Sequence, residues 1–242
     1  MKNNKLYLLL PIRCIVFVLS FVAISAFTHK TPDEISSLWS IVASVVNIFT
    51  ILLLVIAAKK NGMTYAALIN YKRRSVSVGK IIVVIILSVI IGMGGMYLSG
   101  LICYGSIMPA MSLKMIAPVP KVLAIINLLV LPVSTALAED GLYLGAGTGQ
   151  MKNTVLSIVI PAFFFALQHC FIPTLWDVRY MVYRFLSFLP ASIAFCIYYR
   201  KKREPLPIMA GHALLDFATA MSIFVTSVIP GAYDQMLGML SM

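Results

Sequence analysis

The chain has 242 residues, of which 61% are hydrophobic and only 11% are charged. That composition excludes a water-soluble globular domain and points to a polytopic membrane protein. The formal charge of +11 sits in short basic clusters between apolar runs, which is a topology signal and not a nucleic-acid footprint, so no nucleic-acid partner is expected.

A membrane span needs about 20 apolar residues. The first predicted span is 7–27. It is longer than a secretory h-region of about 7–15 residues and lacks a small-x-small cleavage pattern, so it reads as an uncleaved span. Arg13, near its start, is placed to snorkel to the interface. Thr31-Pro32-Asp33-Glu34 reads as a helix start, with Thr as N-cap, Pro at the first position and Glu three residues after the cap. It opens the second span, 36–58. Residues 59–80 carry Lys59, Lys60, Lys72, Arg73, Arg74 and Lys80 and read as a solvated loop. Within it, Met63 to Ile69 suit a segment lying flat on the membrane surface, facing anionic lipid.

The third span, 81–104, presents a small-residue face, Gly95-x-x-x-Ser99, suited to close helix packing. A linker with Pro109, Pro118 and Pro120 follows. The fourth span begins near 121, carries Glu139 and Asp140, and runs into a stretch from Gly141 to Gly149 too glycine-rich to read as regular helix. That stretch lacks the G-x-x-x-x-G-K-[ST] pattern of a phosphate loop. The fifth span starts between 154 and 158 and contains His169. The sixth is about 180–199, then Arg200-Lys201-Lys202-Arg203, then the seventh at about 206–229. The tail from Pro230 is too short to span.

The expected fold is an all-α transmembrane helix bundle of about seven spans (seven to eight), one integral membrane domain over 1–242. With the N-terminus inside, the inner loops hold thirteen Lys and Arg residues. Lys30, Lys114, Lys121 and Arg179 make four outside. That bias predicts a cytoplasmic N-terminus, and a multi-pass protein of the plasma membrane with lipid as a partner. The four cysteines, Cys14, Cys103, Cys170 and Cys196, have no Cys-x-x-Cys spacing and read as free thiols.

Against this background Glu139, Asp140, His169, His212 and Asp216 stand out. A charged side chain at the bilayer centre costs about 2.5–3.5 kcal/mol on insertion scales, so such residues mark a functional site facing the bundle interior. His169 lies four residues after Phe165, and Asp216 four after His212, so each pair shares a helix face. Two histidines and acids on facing helices can bind a metal. They can equally activate a water directly and hold an oxyanion. A proton or ion pathway uses the same residue types. His29, in a short outer link, is expected to be solvated.

The order Glu139-Asp140-x-x-x-Leu144, Phe165-x-x-x-His169 and His212-x-x-x-Asp216 resembles the CPBP family of intramembrane proteases, the type II CAAX prenyl endopeptidases and bacteriocin-processing or immunity (Abi) proteins. Their pattern is E-E-x-x-x-R, F-x-x-x-H and H-x-x-x-N/D. The resemblance covers a catalytic-motif core at about 121–220. It implies an endopeptidase acting within the membrane on a peptide or protein, prenylated or not. Glu139 and His169 would polarise the attacking water, and His212 and Asp216 would stabilise the oxyanion. The alternative it leaves open is a divalent metal such as zinc held by Glu139, His169, His212 and Asp216. Two positions depart from the pattern: Asp140 stands where the family often has Glu, and Leu144 stands where it has Arg. Arg184, on the sixth span, is the candidate substitute for that arginine. The departure at Leu144 also opens a second function, a catalytically inactive protein of the same fold acting by binding, in self-immunity or regulation. For the three motifs to meet, the fourth helix must continue past Gly145 and the fifth must begin near 157–161, with Pro161 a candidate start. His169 then lies within a helix diameter, about 10–12 Å, of Glu139 or His212.

Overall fold

The structure, a computed structural model, describes residues 5–72 and 76–240. Lys2, Arg73 and Arg74 of the basic clusters lie outside the described residues. In chain order the helices are α1 (Ile12–Thr28), α2 (Trp39–Lys60), α3 (Tyr65–Leu68), α4 (Val78–Tyr104), α5 (Lys121–Thr135), a π-helix at Ala136–Thr148, α6 (Leu156–His169), α7 (Val178–Lys202), α8 (Leu206–Val228) and α9 (Ala232–Leu240). Among the described residues, β-type pairing is limited to an isolated bridge between Phe171 and Thr174.

Six helices are long and apolar enough to cross a membrane among the described residues: Leu6–Thr28, Ser36–Lys60, Val78–Tyr104, Lys121–Thr148, Val178–Lys202 and Leu206–Val228. The expected fifth span is shorter than the rest. At 14 residues, α6 is about 21 Å long, against a hydrocarbon core of about 30 Å. Among the described residues six of the seven predicted spans are long enough to cross as a single helix, while α6 ends at His169 inside the bundle.

The bundle keeps its polar side chains among an apolar core and turns apolar ones outward, as a lipid solvent requires. Ser40, Asn47, Thr50, Ser88, Ser99, Asn127 and Ser192 are buried, while Leu52, Ile56, Ile82, Ile86, Ile90 and Leu129 are exposed. Four helix pairings position the site: α4 on α7, α4 on α8, α6 on α7, and α5 on α8. The predicted small-residue face forms the first of these. A Cβ at Gly95 would sit 2.5 Å from the Ser187 carbonyl oxygen, and the Ser99 and Ser187 hydroxyls are 2.6 Å apart. Backbones this close leave no room for a side chain at Gly95 and only a small one at Ser99.

The loops sort to two ends. At one, Asn70 donates to the Arg203 carbonyl at 2.7 Å, Lys80 pairs with Glu204 at 2.9 Å and Arg200 donates to the Met151 carbonyl at 3.0 Å. At the other, Trp39 donates to the Met115 carbonyl at 3.1 Å and the Val119 amide to Ser227 at 3.0 Å. The expected inner loops thus share an end. The expected helix start at Thr31 is instead a turn closed by capping-box hydrogen bonds, the Thr31 amide donating to Glu34 at 2.8 Å and the Glu34 amide to the Thr31 hydroxyl at 3.4 Å, with helix only from Ser36 onward. Burial of the first span's Phe17 and Phe21 integrates α1 in the bundle, and His29 is exposed. Cys14, Cys103, Cys170 and Cys196 are all free thiols.

Three local expectations are corrected. The glycine-rich stretch is helical after all, as the π-helix. Its glycines admit neighbours that side chains would exclude: Gly145 lies against Ile69 and Leu68, and Gly147 against Pro161 and Leu10. Residues 63–69 do not lie flat on the surface. Leu68 is wholly buried and Ile69 nearly so, because α3 tucks into the groove those glycines open. Pro161 falls inside α6 and not at its start.

Candidate active site

Glu139 and Asp140 are adjacent, yet both are buried, at 2% and 1% exposure. In an α-helix neighbours point about 100° apart. The wider turn of a π-helix rotates each residue by less, so both carboxylates face the interior. Such π segments are frequent at functional sites. Pro132, which cannot donate to the helix ladder, loosens the turn just before it.

The five polar residues predicted from the sequence come together. Glu139 Oε2 lies 4.0 Å from His169 Nε2 and 3.7 Å from His212 Nε2. His212 Nδ1 is 3.3 Å from Asp140 Oδ1, and His212 Nε2 is 3.6 Å from Asp216 Oδ2. His169 is thus well inside the helix-diameter limit set by the sequence reading. The π-helix continues past Gly145, as expected, and α6 begins at Leu156, one residue before the expected 157–161.

Each imidazole is held by its surroundings. His169 Nδ1 lies 2.8 Å from the Phe165 carbonyl oxygen. A carbonyl only accepts, so Nδ1 carries the hydrogen, and Nε2 of the neutral ring presents its lone pair toward Glu139. The ring is stacked on Phe188, centroid to centroid 3.4 Å. The carboxylate of Asp140 takes the hydrogen on Nδ1 of His212. That leaves His212 Nε2 3.7 Å from Glu139 Oε2 and 3.6 Å from Asp216 Oδ2, out of hydrogen-bonding reach of either. Glu139 Oε2, Asp140 Oδ2 and Asp216 Oδ2 are buried with no hydrogen-bond partner among the described residues. Asp216 is the edge of the cluster: its side chain is 25% exposed, between the outward-facing Leu214 and Phe217.

Arg13 is where sequence reasoning missed. It does not snorkel; it is 1% exposed. Its Nη2 donates to Glu139 Oε1 at 2.8 Å, its Nε to Gln168 Oε1 at 2.6 Å and its Nη1 to Thr50 at 3.1 Å. Arg184 does not replace the motif arginine either. Its Nε faces the His169 carbonyl at 3.4 Å and its guanidinium lies 4.8 Å from the Phe188 ring, while Asp140 bonds His212. Leu144 is buried in the apolar cluster with Leu68, Tyr143 and Tyr199.

The fit to a metal can be judged from the donors. Zinc–ligand bonds of about 2.0–2.2 Å put tetrahedral neighbours about 3.4 Å apart. The pairs around Glu139 Oε2 and His212 Nε2 are wider, at 3.6, 3.7 and 4.0 Å. Glu139 Oε1 is already committed to a guanidinium, whose charge opposes a second cation. Among the described residues no three His, Cys, Asp or Glu side chains are disposed to hold an ion. As arranged, the donor atoms of Glu139, His169, His212 and Asp216 stand too far apart to fit a zinc coordination sphere.

Residues 121–218, which hold all five polar residues, match the family described as type II CAAX prenyl endopeptidase Rce1-like. That segment is thus similar to a family of intramembrane proteases, consistent with a CPBP-type core, and with the six apolar helices it fits a multi-pass membrane protein. No curated protein and no solved structure matches the chain.

Proposed function

We propose that the protein is an intramembrane endopeptidase in which Glu139 and His169 activate a water for attack on a peptide bond. The observation that carries this reading is Glu139 Oε2: buried, without a hydrogen-bond partner among the described residues, and 4.0 Å from the lone pair of His169 Nε2. A water oxygen about 2.8 Å from both acceptors subtends close to a right angle between them, near its own H–O–H angle. Both its hydrogens are then engaged and its lone pair is free to attack.

The steps follow. The water oxygen bonds to the scissile carbonyl carbon as its proton passes to Glu139 Oε2. The carbonyl oxygen becomes an oxyanion, which the proton on His212 Nε2 meets. Asp140 fixes the His212 ring through Nδ1, and Asp216 sits at the side where a substrate approaches from the membrane. Collapse breaks the C–N bond, and the proton held by Glu139 goes to the leaving nitrogen. The substrate is a peptide or protein, prenylated or not. The basic loops gathered at one end support a cytoplasmic N-terminus in a plasma membrane.

The test is cleavage of an internally quenched farnesylated CAAX-tail peptide, beside its unprenylated counterpart, by purified protein in lipid. Glu139→Gln should abolish cleavage of whichever peptide the wild type cuts, with the fold retained. Full activity in that variant refutes the assignment. Dialysis against a chelator should leave activity within about twofold; a loss restored by zinc would move the chemistry to a metal.

One observation favours a second reading. Asp140 lacks an arginine, because position 144 is Leu144, and its Oδ2 has no partner among the described residues. A catalytically inactive protein of this fold would act by binding, in self-immunity or regulation. Retention of the full cellular phenotype by Glu139→Gln would select it.

A further inference from the structure

Arg13 belongs to none of the three motifs and lies outside residues 121–218, yet it touches the centre of the site. Its three kinds of nitrogen are committed to three different elements: Nε to Gln168 on α6 at 2.6 Å, Nη1 to Thr50 on α2 at 3.1 Å and Nη2 to Glu139 on the π-helix at 2.8 Å. The guanidinium lies 5.3 Å from the Phe17 ring of its own helix. Gln168 directly precedes His169, and its Oε1 also accepts from Tyr143 Oη at 3.0 Å, which ties α6 back to the π-helix. The two residues that face the proposed water thus come from two segments bolted together by one side chain of a third.

We propose that Arg13 is a positioning residue for the water-activating pair. By holding Glu139 Oε1 and Gln168 Oε1 in one planar fork, it sets the separation between Glu139 Oε2 and His169 Nε2. This rests on the catalytic reading above. The fork does two things at once. It turns Glu139 so that one oxygen is occupied and the other free, and it supplies from α1 the guanidinium that Leu144 does not. Lysine cannot substitute, because an ammonium on a flexible stem has no fixed fork with which to span two acceptors. A misplacement of about 1 Å in a reacting group costs about 10²-fold in rate, so the loss should fall on kcat.

The experiment compares Arg13→Lys, Arg13→Gln, Glu139→Gln and the double variant Arg13→Gln/Glu139→Gln on the same quenched peptide, with thermal unfolding measured on each. Arg13→Lys keeps the charge and should lower kcat about 10²-fold with KM within about threefold and little change in Tm. Arg13→Gln leaves Glu139 buried without its cation and should unfold at lower temperature; adding Glu139→Gln should restore much of that loss. Wild-type kcat in Arg13→Lys overturns the proposal, as does a fall in activity that disappears once normalised to folded protein. Zero coupling between the two positions in the stability cycle, which needs no substrate, overturns it as well. If Glu139→Gln itself cleaves normally, the catalytic reading has failed, a result distinct from an inert Arg13.

Discussion

The two halves of the chain do different work at one site. Residues 121–218 contribute every carboxylate and imidazole that meets there: Glu139, Asp140, His169, His212 and Asp216. The half before them contributes no acid and no histidine to the cluster. It supplies Arg13 and Thr50 to the Glu139 network and the glycine face of α4 against α7. The first half confines groups that the second half presents. The difference teaches how a charged site survives in a bilayer. No water is at hand to screen a misplaced carboxylate, so charges on one set of helices need partners and packing on another.

The largest expected effect tests whether the chemistry is confined to the later half. His169→Ala should lower kcat by about 10²–10⁴-fold, the usual contribution of a positioned general base. Glu139→Gln combined with His169→Ala should be no worse than the more damaged single variant, because groups acting on one water fail together. Steady-state cleavage of the quenched peptide reads both. Effects that multiply in the double variant would mean the two residues do not share a water, and the comparison between the halves would lose its focus.

The five acidic and imidazole residues were legible in the sequence because each is expensive in an apolar run and two pairs sit at the i, i+4 spacing of a helix face. The spans were legible because their composition is almost unbroken, and their ends fall within a few residues of the helices observed. Arg13 was not legible, since a cation near the start of a span has a cheap alternative at the interface, and only the tertiary fold reveals that α1 carries it inward. A signal did exist: Arg13 and Arg184 are the only arginines inside predicted spans, where three carboxylates need positive partners. The π-helix was hidden too, because glycines weaken helix propensity. At Gly145 and Gly147 they are there for close approach, by Leu68 and Ile69 and by Pro161.

A smaller effect should separate packing from chemistry in the earlier half. Gly95→Val drives a side chain toward the Ser187 carbonyl oxygen and Pro190, at 2.5 and 3.4 Å from an added Cβ. Neither backbone nor a proline ring yields easily, so the cost should be about 1–3 kcal/mol, as for overpacking elsewhere. Unfolding of purified protein in mild detergent measures it. Activity per folded molecule should stay at the wild-type level, because α4 contributes no group to the cluster. A fall in kcat with Tm unchanged would show that α4 shapes the site directly, and the division between the halves would have to be redrawn.

The smallest effect concerns the seam between the halves at the loop end. Lys80, at the start of α4, pairs with Glu204 in the link between α7 and α8 at 2.9 Å, with side chains 40% and 19% exposed. Tyr198 also donates to Glu204, at 3.0 Å. The hydrogen bond from Lys80 is the main reason the Glu204 carboxyl is held below its ordinary range. A folded-state value below the unfolded one contributes stability at neutral pH. That contribution is lost as pH falls through the lowered value. A pair this exposed is worth only about 0–1 kcal/mol. Glu204→Gln should therefore lower Tm slightly at pH 7 in low salt and less in 1 M salt, where screening is short-ranged. The gap to wild type should close in acid, once Glu204 is protonated in both states. A large drop at pH 7 that persists in acid and in high salt would mean that Glu204 braces the start of α8, and with it His212, by packing and not by charge.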